Sequence, residues 1–411
     1  MDEQDTIAVI GAGAIGAAAA FALAREGRKV LLLDSAEPGI AGASFGNAGH
    51  IAQESVQPLP SPALLFRFYR ELFRFGGALD LPPRQMLRMS PWIWRFAAAA
   101  FRRTENTRHL APLVRPSVEA WVRCLAAMKR PDLLHRHGHY EVAFGPRARI
   151  QMQKHAEDMA RVDVNTQPIS AEQLLPLQRA AGASMAAGLW FQDSANVIDP
   201  LEAVRALVGA AKESGATFRQ LRIRALAARG EKIEILSEAE ALIVDRVLVC
   251  AGVRSASLLA PFGLRAPLQA VRGYHIEMPG AAGFFDAPLL YTQERVVVTP
   301  MTGRMRATSF MEFADPDAPP DARKPARLRR TVRALGYPCE PEGPSWMGCR
   351  PVLPDYLPGI GRAPGISKLF YAIGHQHIGL TLAPITAELV VDMVAERTPR
   401  IPIAAYDLQR F

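Results

Sequence analysis

Cysteine is scarce: four residues in 411, Cys124, Cys250, Cys339 and Cys349, lie far apart with no C-x-x-C pair. That spacing speaks against a disulfide framework and a thiolate zinc site, and fits a reducing cytoplasm. No apolar run reaches the ~20 residues of a membrane-spanning helix. The start, MDEQDT, is acidic and leads straight into a strand, without the basic start and apolar core of a secretory leader. Zinc-finger spacings, RNA-binding signatures and dense basic runs are also missing. The net charge of +8 therefore does not indicate nucleic acid. Scattered arginines on a solvated surface account for it, with an anionic membrane surface as the second reading. Internal repeats and low-complexity tracts are absent. What is left is 49% hydrophobic and 21% charged, an ordinary globular composition at a length that calls for two domains.

Against that plain background the first fifty residues stand out. Ile7-Ala8-Val9-Ile10 is a continuous apolar run, the pattern of a strand buried on both faces. Gly11, Gly13 and Gly16 follow as G-x-G-x-x-G, enclosing Ala14 and Ile15. The first glycine permits a tight turn, the second lets the backbone approach a pyrophosphate, and the third lets helix and strand pack closely. Ala14 to Glu26 read as a helix closed by Gly27, and its N-terminus offers free N–H groups and positive dipole to phosphate. Val30 to Leu33 form the next strand. Asp34 ends it, followed by Ser35. An acid there bonds adenosine ribose hydroxyls, and Asp in place of Arg argues against NADP. The motif alone does not separate NAD from FAD.

The stretch that follows, GASFGNAGHIA, does separate them. A plain NAD domain would continue into another βαβ unit, whereas here a second backbone-rich loop follows the acid. The loop resembles the S-x-x-N-A-G segment of the FAD-dependent D-amino-acid oxidase and dehydrogenase superfamily. The resemblance implies FAD, with Ser44 near phosphate, Gly46 in the same loop, and Asn47, Ala48, Gly49 and His50 beside the isoalloxazine. For His50, a packing role with no chemistry is the alternative.

From Pro58 to about Arg130 the chain reads as helical, aromatic and rich in arginine, interrupted at Pro82-Pro83 and Pro91. Helices packed over a substrate domain, with arginines reaching outward, are the first reading; an amphipathic membrane face is the second. Gly138 to Phe144 reads as a strand and Arg147 to Arg161 as a helix. Ser170 caps a further helix, and Asp199-Pro200 starts the helix Leu201 to Ser214. A strand is expected near Leu221 to Ile223 and a hairpin over Arg229 to Ala241. DRVLVCAGVRSASLL then repeats the pattern of buried strand, glycine turn and helix. By resemblance, Cys250, Ala251 and Gly252 contact FAD through their backbone, and Ile223 lies against adenine. Cys250 itself reads as core filling. Leu264 to Gly343 reads as a Pro-interrupted antiparallel sheet.

Two carboxyl-terminal segments complete the resemblance, which spans essentially the whole chain. SWMGCRPVLPDYLPGIGRAP matches the family's G-x-R-P-x-x-P-D-x-x-P-x-I-G pattern, and IGHQHIGLTLAPITAEL its G-H-x-x-x-G pattern. Arg350, between Gly348-Cys349 and Pro351, is held stiffly enough to clamp a carboxylate through two parallel hydrogen bonds; a surface ion pair is the alternative. Cys349 is one residue out of register with the covalent flavin attachment of sarcosine oxidases, so FAD is expected to be non-covalent. The segment Gly374, His375, Gln376, His377, Ile378, Gly379, Leu380 and Thr381 follows the strand Leu369 to Ile373 and opens a helix directed at the flavin. His375 and His377 have the look of metal ligands, but with no third ligand in sight no metal is expected. Tyr274 and Tyr291 are the phenols expected to face substrate across from Arg350, with Arg272 as a second carboxylate ligand.

The expected architecture is α/β: a discontinuous Rossmann-type FAD-binding domain (1–57, 195–263 and 344–411) and an α+β substrate domain (58–194 and 264–343) with a mainly antiparallel sheet. The resemblance implies oxidation of a free D-amino acid at its Cα–N bond, by hydride transfer from Cα to flavin N5, giving an imine. The bacterial D-proline and D-hydroxyproline dehydrogenases are the nearest pattern. A quinone or respiratory carrier is the implied electron acceptor. The rivals are a glycine- or sarcosine-type oxidase and a non-catalytic FAD-binding subunit. Location is expected in the cytoplasm, with peripheral contact at the inner membrane face as an option; oligomeric state is left open.

Overall fold

The uninterrupted apolar run at residues 7–10 becomes the centre of a sheet. Thr6–Ile10 pairs in parallel with Lys29–Asp34 on one side and Arg246–Val249 on the other. The computed structural model describes residues 5–182 and 186–411; the acidic start at 1–4 lies outside them. The six-stranded sheet runs in the order Thr217–Gln220, Lys29–Asp34, Thr6–Ile10, Arg246–Val249, Leu369–Ile373, Gly359–Arg362. Only the last pair is antiparallel. On one face, helices Ala14–Arg25, Pro200–Glu213 and Gly379–Val394 pack into a shared core. Small residues make this close: Ala17, Ala18, Ala19 and Ala20 are almost fully buried. The other face is covered by a three-stranded meander, Ile223–Arg229, Lys232–Ser237 and Ala241–Val244.

A second, nine-stranded sheet is mainly antiparallel. Ser345–Val352 forms one edge, next to Gln269–Met278, which pairs on its other side with Arg304–Phe313, itself also paired with the short strand Leu79–Asp80. The sheet continues through Val296–Met301 and Leu289–Tyr291 to His139–Phe144, Ala186–Phe191 and Gln167–Pro168. The α/β class and the split dinucleotide-binding fold thus agree with the sequence.

Four expectations change. The strand carrying Arg350 belongs to the large sheet, paired with Gln269–Met278, so the boundary placed at 344 falls too early. Helices Arg103–Val114 and Ser117–Ala127 belong to the dinucleotide-binding core instead of the substrate part. Leu110, Leu113, Val118, Trp121 and Leu125 are buried there, and the Trp121 indole N–H donates to the Leu380 carbonyl at 2.9 Å. The strand expected near 221–223 falls at Thr217–Gln220, and the hairpin is the meander that begins at Ile223. Finally, 264–343 is not all sheet, because Arg323–Ala334 is a helix.

That helix is anchored by charge. Lys324 is completely buried and its Nζ donates to Asp80 at 2.7 Å, Glu312 at 2.9 Å and Asp321 at 2.9 Å. Arg272 Nε pairs with Glu312 at 2.9 Å, and its Nη atoms donate to the carbonyls of Asp315, Ala318 and Pro319. A buried charge is tolerated only when paired and hydrogen-bonded, and both cations meet that requirement.

Candidate active site

Between the two sheets lies a cavity of about 1820 Å³, larger than the ~300–1,000 Å³ of a typical single small-molecule site. One end is the glycine turn. Gly11 has φ +109°, and a Cβ there would sit 2.4 Å from the Cys250 carbonyl oxygen; a Cβ on Gly16 would sit 1.8 Å from the Gly11 oxygen. Only glycine fits at either place. Gly11, Gly13, Ala14 and Ile15 line the cavity, while Gly16 packs behind them. Gly13 offers the helix starting at Ala14 no capping side chain, which leaves first-turn N–H groups beyond that of Ala14 for an anion. Ser44 Oγ accepts from Ala14 N–H at 2.9 Å, and Asp34 accepts from Ala12 N–H at 2.6 Å. Asp34, Ser35, Ile223, Cys250, Ala251 and Gly252 continue the wall. These features fit a dinucleotide: a cradle that excludes Cβ atoms, an open helix end, and an acid beyond it.

The loop from Ser44 to His50 is held from the large sheet. Arg306, buried and paired with Glu277 at 2.6 Å, donates to the carbonyls of Phe45 at 3.2 Å and Asn47 at 2.6 Å. His275 Nδ1 meets the Gly46 carbonyl at 3.2 Å. Gly46, Asn47, Ala48 and His50 line the cavity. Gly49 does not: its φ of +74° turns the chain, and a Cβ would strike the Val197 carbonyl at 2.5 Å. The Asn47 side chain accepts from Gly49 N–H at 2.8 Å, which fixes that turn. Trp346 sits between Gly46 and Gly348, since a Cβ on either would overlap its ring.

On the far wall, Gly374 to Thr381 all face the cavity. The helix Gly379–Val394 also lacks a side-chain cap. Thr381 Oγ1 accepts from Ala52 N–H at 3.1 Å and donates to the His50 carbonyl at 3.3 Å, tying the helix to the loop. His375 Nε2 bonds Thr386 Oγ1 at 3.1 Å, so this imidazole is used internally. Gln376, at φ +52°, donates through its side chain to the Tyr356 carbonyl.

Arg350 lies against Gly273, where a Cβ would come within 2.2 Å of Nη2. Its Nη1 donates to the Phe310 carbonyl at 2.9 Å. Phe310 has φ +73°, and the register between its strand and Gln269–Met278 shifts at that point. The bulge aims the carbonyl at the guanidinium. No carboxylate pairs with Arg350 among the described residues. Burial pulls its pKa down, with the nearby Tyr356 opposing, as expected for a cation without an anion. His377 opens onto the same cavity, and its pKa is lowered to about 4 by burial first, then by Arg350 and His50. Its ring is therefore neutral at pH 7.

Three expected substrate contacts are corrected. Tyr274 is buried on the opposite face of its strand: its hydroxyl donates to Glu312 at 2.6 Å and accepts from Arg272 at 3.0 Å. Tyr291 bonds Tyr337 hydroxyl to hydroxyl at 3.0 Å in the same core. Arg272 is consumed by Glu312 and three carbonyls. The Cys349 thiol meets the Pro316 carbonyl at 3.8 Å, and both residues line the cavity. Residues that the sequence did not single out line the cavity as well: Trp346, Glu54, His139, Glu141 and His155.

Two expected results arise here. Gly273→Ala pushes the guanidinium aside, so KM for a carboxylate substrate rises while flavin content is unchanged, as steady-state kinetics and absorbance together will show. The second concerns acid. Burial lowers His275 to about 4 and His375 to about 3, against ~6.5 unfolded. Between those values the unfolded chain binds protons that the folded chain refuses, so stability is lost as pH falls from 6.5 toward 4. Thermal midpoints at pH 7.5, 6 and 5 should decline in that order.

An open α/β sheet with a glycine turn, an acid after its second strand and a cavity running on to a second sheet defines a dinucleotide-dependent oxidoreductase. Residues 6–393 match the family model described as DAO, FAD dependent oxidoreductase. The chain belongs to this family, and its cofactor is FAD. It is 28% identical over 422 residues to the D-amino-acid oxidase of Bradyrhizobium diazoefficiens, covering 100% of both chains. It is 29% identical over 438 residues to D-amino acid dehydrogenase 2 of Ralstonia nicotianae, covering 98% of this chain and all of the relative. Among solved structures, glycine oxidase from Geobacillus kaustophilus superposes with a TM-score of 0.78 at 20% identity, over 99% of this chain and 100% of that one. No described helix is long and apolar enough to cross a membrane.

Proposed function

We propose that this chain oxidises the Cα–N bond of a free D-amino acid, with D-proline or cis-4-hydroxy-D-proline as the favoured substrate. The observation that carries the reading is Arg350: a half-buried guanidinium without a carboxylate partner among the described residues, turned into the cavity that fits FAD. A substrate carboxylate supplies the missing anion, and a planar fork receives it through two bonds. FAD, when bound, supplies the two-electron acceptor. Arg350 then orients the substrate, and the neutral His377 offers a hydrogen bond to the rest of it. With the carboxylate fixed and Cα–H directed at the acceptor, an enantiomer must turn either its hydrogen or its side chain away. The D hand is supported by the names of the curated relatives.

Anaerobic mixing with D- and L-amino acids tests this. Flavin bleaching is expected to be fastest with D-proline or cis-4-hydroxy-D-proline. Faster bleaching by the L forms overturns the D assignment. Preference for glycine or sarcosine with a full yield of peroxide turns the assignment to an oxidase of that type, and no bleaching by any amino acid leaves a cofactor-binding subunit. The flavin is expected to be released by acid or heat, because Cys349 stands one residue out of register with the position of covalent attachment.

The acceptor we propose is a membrane quinone. The segment 62–101 exposes Phe66, Phe75, Leu87, Trp94 and Phe101 beside the exposed Arg67, Arg74, Arg88 and Arg95. Aromatic and basic groups on one segment suit an anionic bilayer surface. Co-sedimentation with phosphatidylglycerol vesicles, lost in Leu87→Asp/Trp94→Asp, is the expected result.

A further inference from the structure

One wall of the cavity carries a group that the oxidation chemistry leaves unused. His50 begins the two-residue strand His50–Ile51, Glu54 stands four positions later, and His139 opens the strand His139–Phe144 of the large sheet. His50 Nε2, Glu54 Oε1 and His139 Nδ1 lie within 4.8 Å of one another. Glu54 Oε1 is 3.3 Å from His50 Nε2 and 3.5 Å from His139 Nδ1. Both nitrogens are buried, and neither makes a hydrogen bond. His139 as a whole is 2% exposed. Had these been ordinary charge-assisted hydrogen bonds, they would close to ~2.7–2.9 Å with good alignment.

The spacing has another explanation. A tetrahedral ion with ligand bonds of ~2.0–2.1 Å places its ligand atoms about 3.3–3.4 Å apart, which matches the two distances. An octahedral site at similar bond lengths would draw them to about 3 Å. The supporting contacts are those of ligands. The second oxygen of Glu54 accepts from the Ser194 hydroxyl. The far nitrogen of His139 lies 3.8 Å from Glu141, beyond hydrogen-bond reach, and Glu141 holds His155 at 3.0 Å. By contrast, the acid cluster Asp80, Glu312 and Asp321 already holds the Lys324 ammonium.

We propose that His50, Glu54 and His139 bind a divalent transition ion of the zinc class, with its fourth position open to the cavity that all three line. Two imidazoles and one carboxylate exclude calcium and magnesium as resident ions. The sequence hid this site because its third ligand lies 85 positions beyond Glu54, with no local spacing to mark it.

The test is metal binding by the flavin-loaded protein, which does not depend on which amino acid is oxidised. Protein purified without chelators and dialysed should retain about one zinc per flavin by elemental analysis. After chelator treatment that spares the flavin, Co2+ should restore visible bands to the red of the flavin absorption. Zn2+ affinity, measured against a chromophoric chelator, should fall at least tenfold in Glu54→Gln and His139→Asn with flavin content unchanged. Should either substitution cost the fold, zinc-edge absorption of the native protein decides through its imidazole signature. A native protein that retains no transition metal and binds Zn2+ no more tightly than the variants overturns the proposal.

Discussion

Arg350→Ala is expected to lower kcat/KM for a carboxylate substrate by about 10²–10⁴-fold and leave flavin content intact. Two charge-assisted hydrogen bonds contribute on the order of 1.5–3 kcal/mol each, and every ~1.4 kcal/mol is a decade in rate. Arg350→Lys is also impaired, because an ammonium cannot form the fork. The same change has an opposite consequence for the ligand-free fold. Without substrate the guanidinium is a half-buried cation whose one recorded hydrogen bond goes to a carbonyl. Removing an uncompensated charge relieves desolvation, so Arg350→Met should melt no lower than the native protein while losing activity. Steady-state kinetics and calorimetry of the same preparation check both halves. A loss of stability parallel to the loss of activity would indicate a packing role for Arg350.

Lys324→Met acts in the reverse direction. Asp80, Glu312 and Asp321 converge on the Lys324 ammonium, and deleting it leaves the buried Glu312 carboxylate with two like charges beside it. Breaking a buried pair by removing one partner costs roughly 3–5 kcal/mol. A marked drop in denaturant midpoint is the expected measurement. Restoring neutrality by Lys324→Met/Glu312→Gln should recover part of it, which a purely steric defect would not allow.

The parts legible in the sequence are those whose signal is local. Ile7 to Ile10, Gly11 to Gly16 and Leu369 to Ile373 fall where patterning puts them, because a doubly buried strand and a glycine turn each leave a contiguous trace. The helix Arg323–Ala334 was hidden by its composition: it is crowded with arginine, and among its residues only Lys324, Leu328 and Val332 are buried. Tyr274 illustrates another limit. Successive residues of a strand face opposite ways. Gly273 must face the cavity to admit Arg350, so Tyr274 must turn into the core. Nothing near Tyr274 in sequence reveals which parity applies, since Arg350, which settles it, is 76 positions away. Arg306 and His275, which pin the flavin loop, escape for the same reason: they reach backbone carbonyls, and carbonyls have no sequence signature.

The interleaving of the chain also bears on how the protein is made. The helix Ala14–Arg25 packs on Gly379–Val394, and the strand Thr6–Ile10 lies one strand away from Leu369–Ile373. A ribosome working at ~5–20 residues per second needs roughly 20–70 s to travel from one member of each pair to the other. Through that interval the amino-terminal alanine face and its glycine turn emerge without their partner, and no complete pocket exists to capture FAD. Flavin incorporation is therefore a late event in synthesis. A nascent chain arrested before residue 379 should be caught by chaperones and proteases in a colourless state, whatever the supply of cofactor.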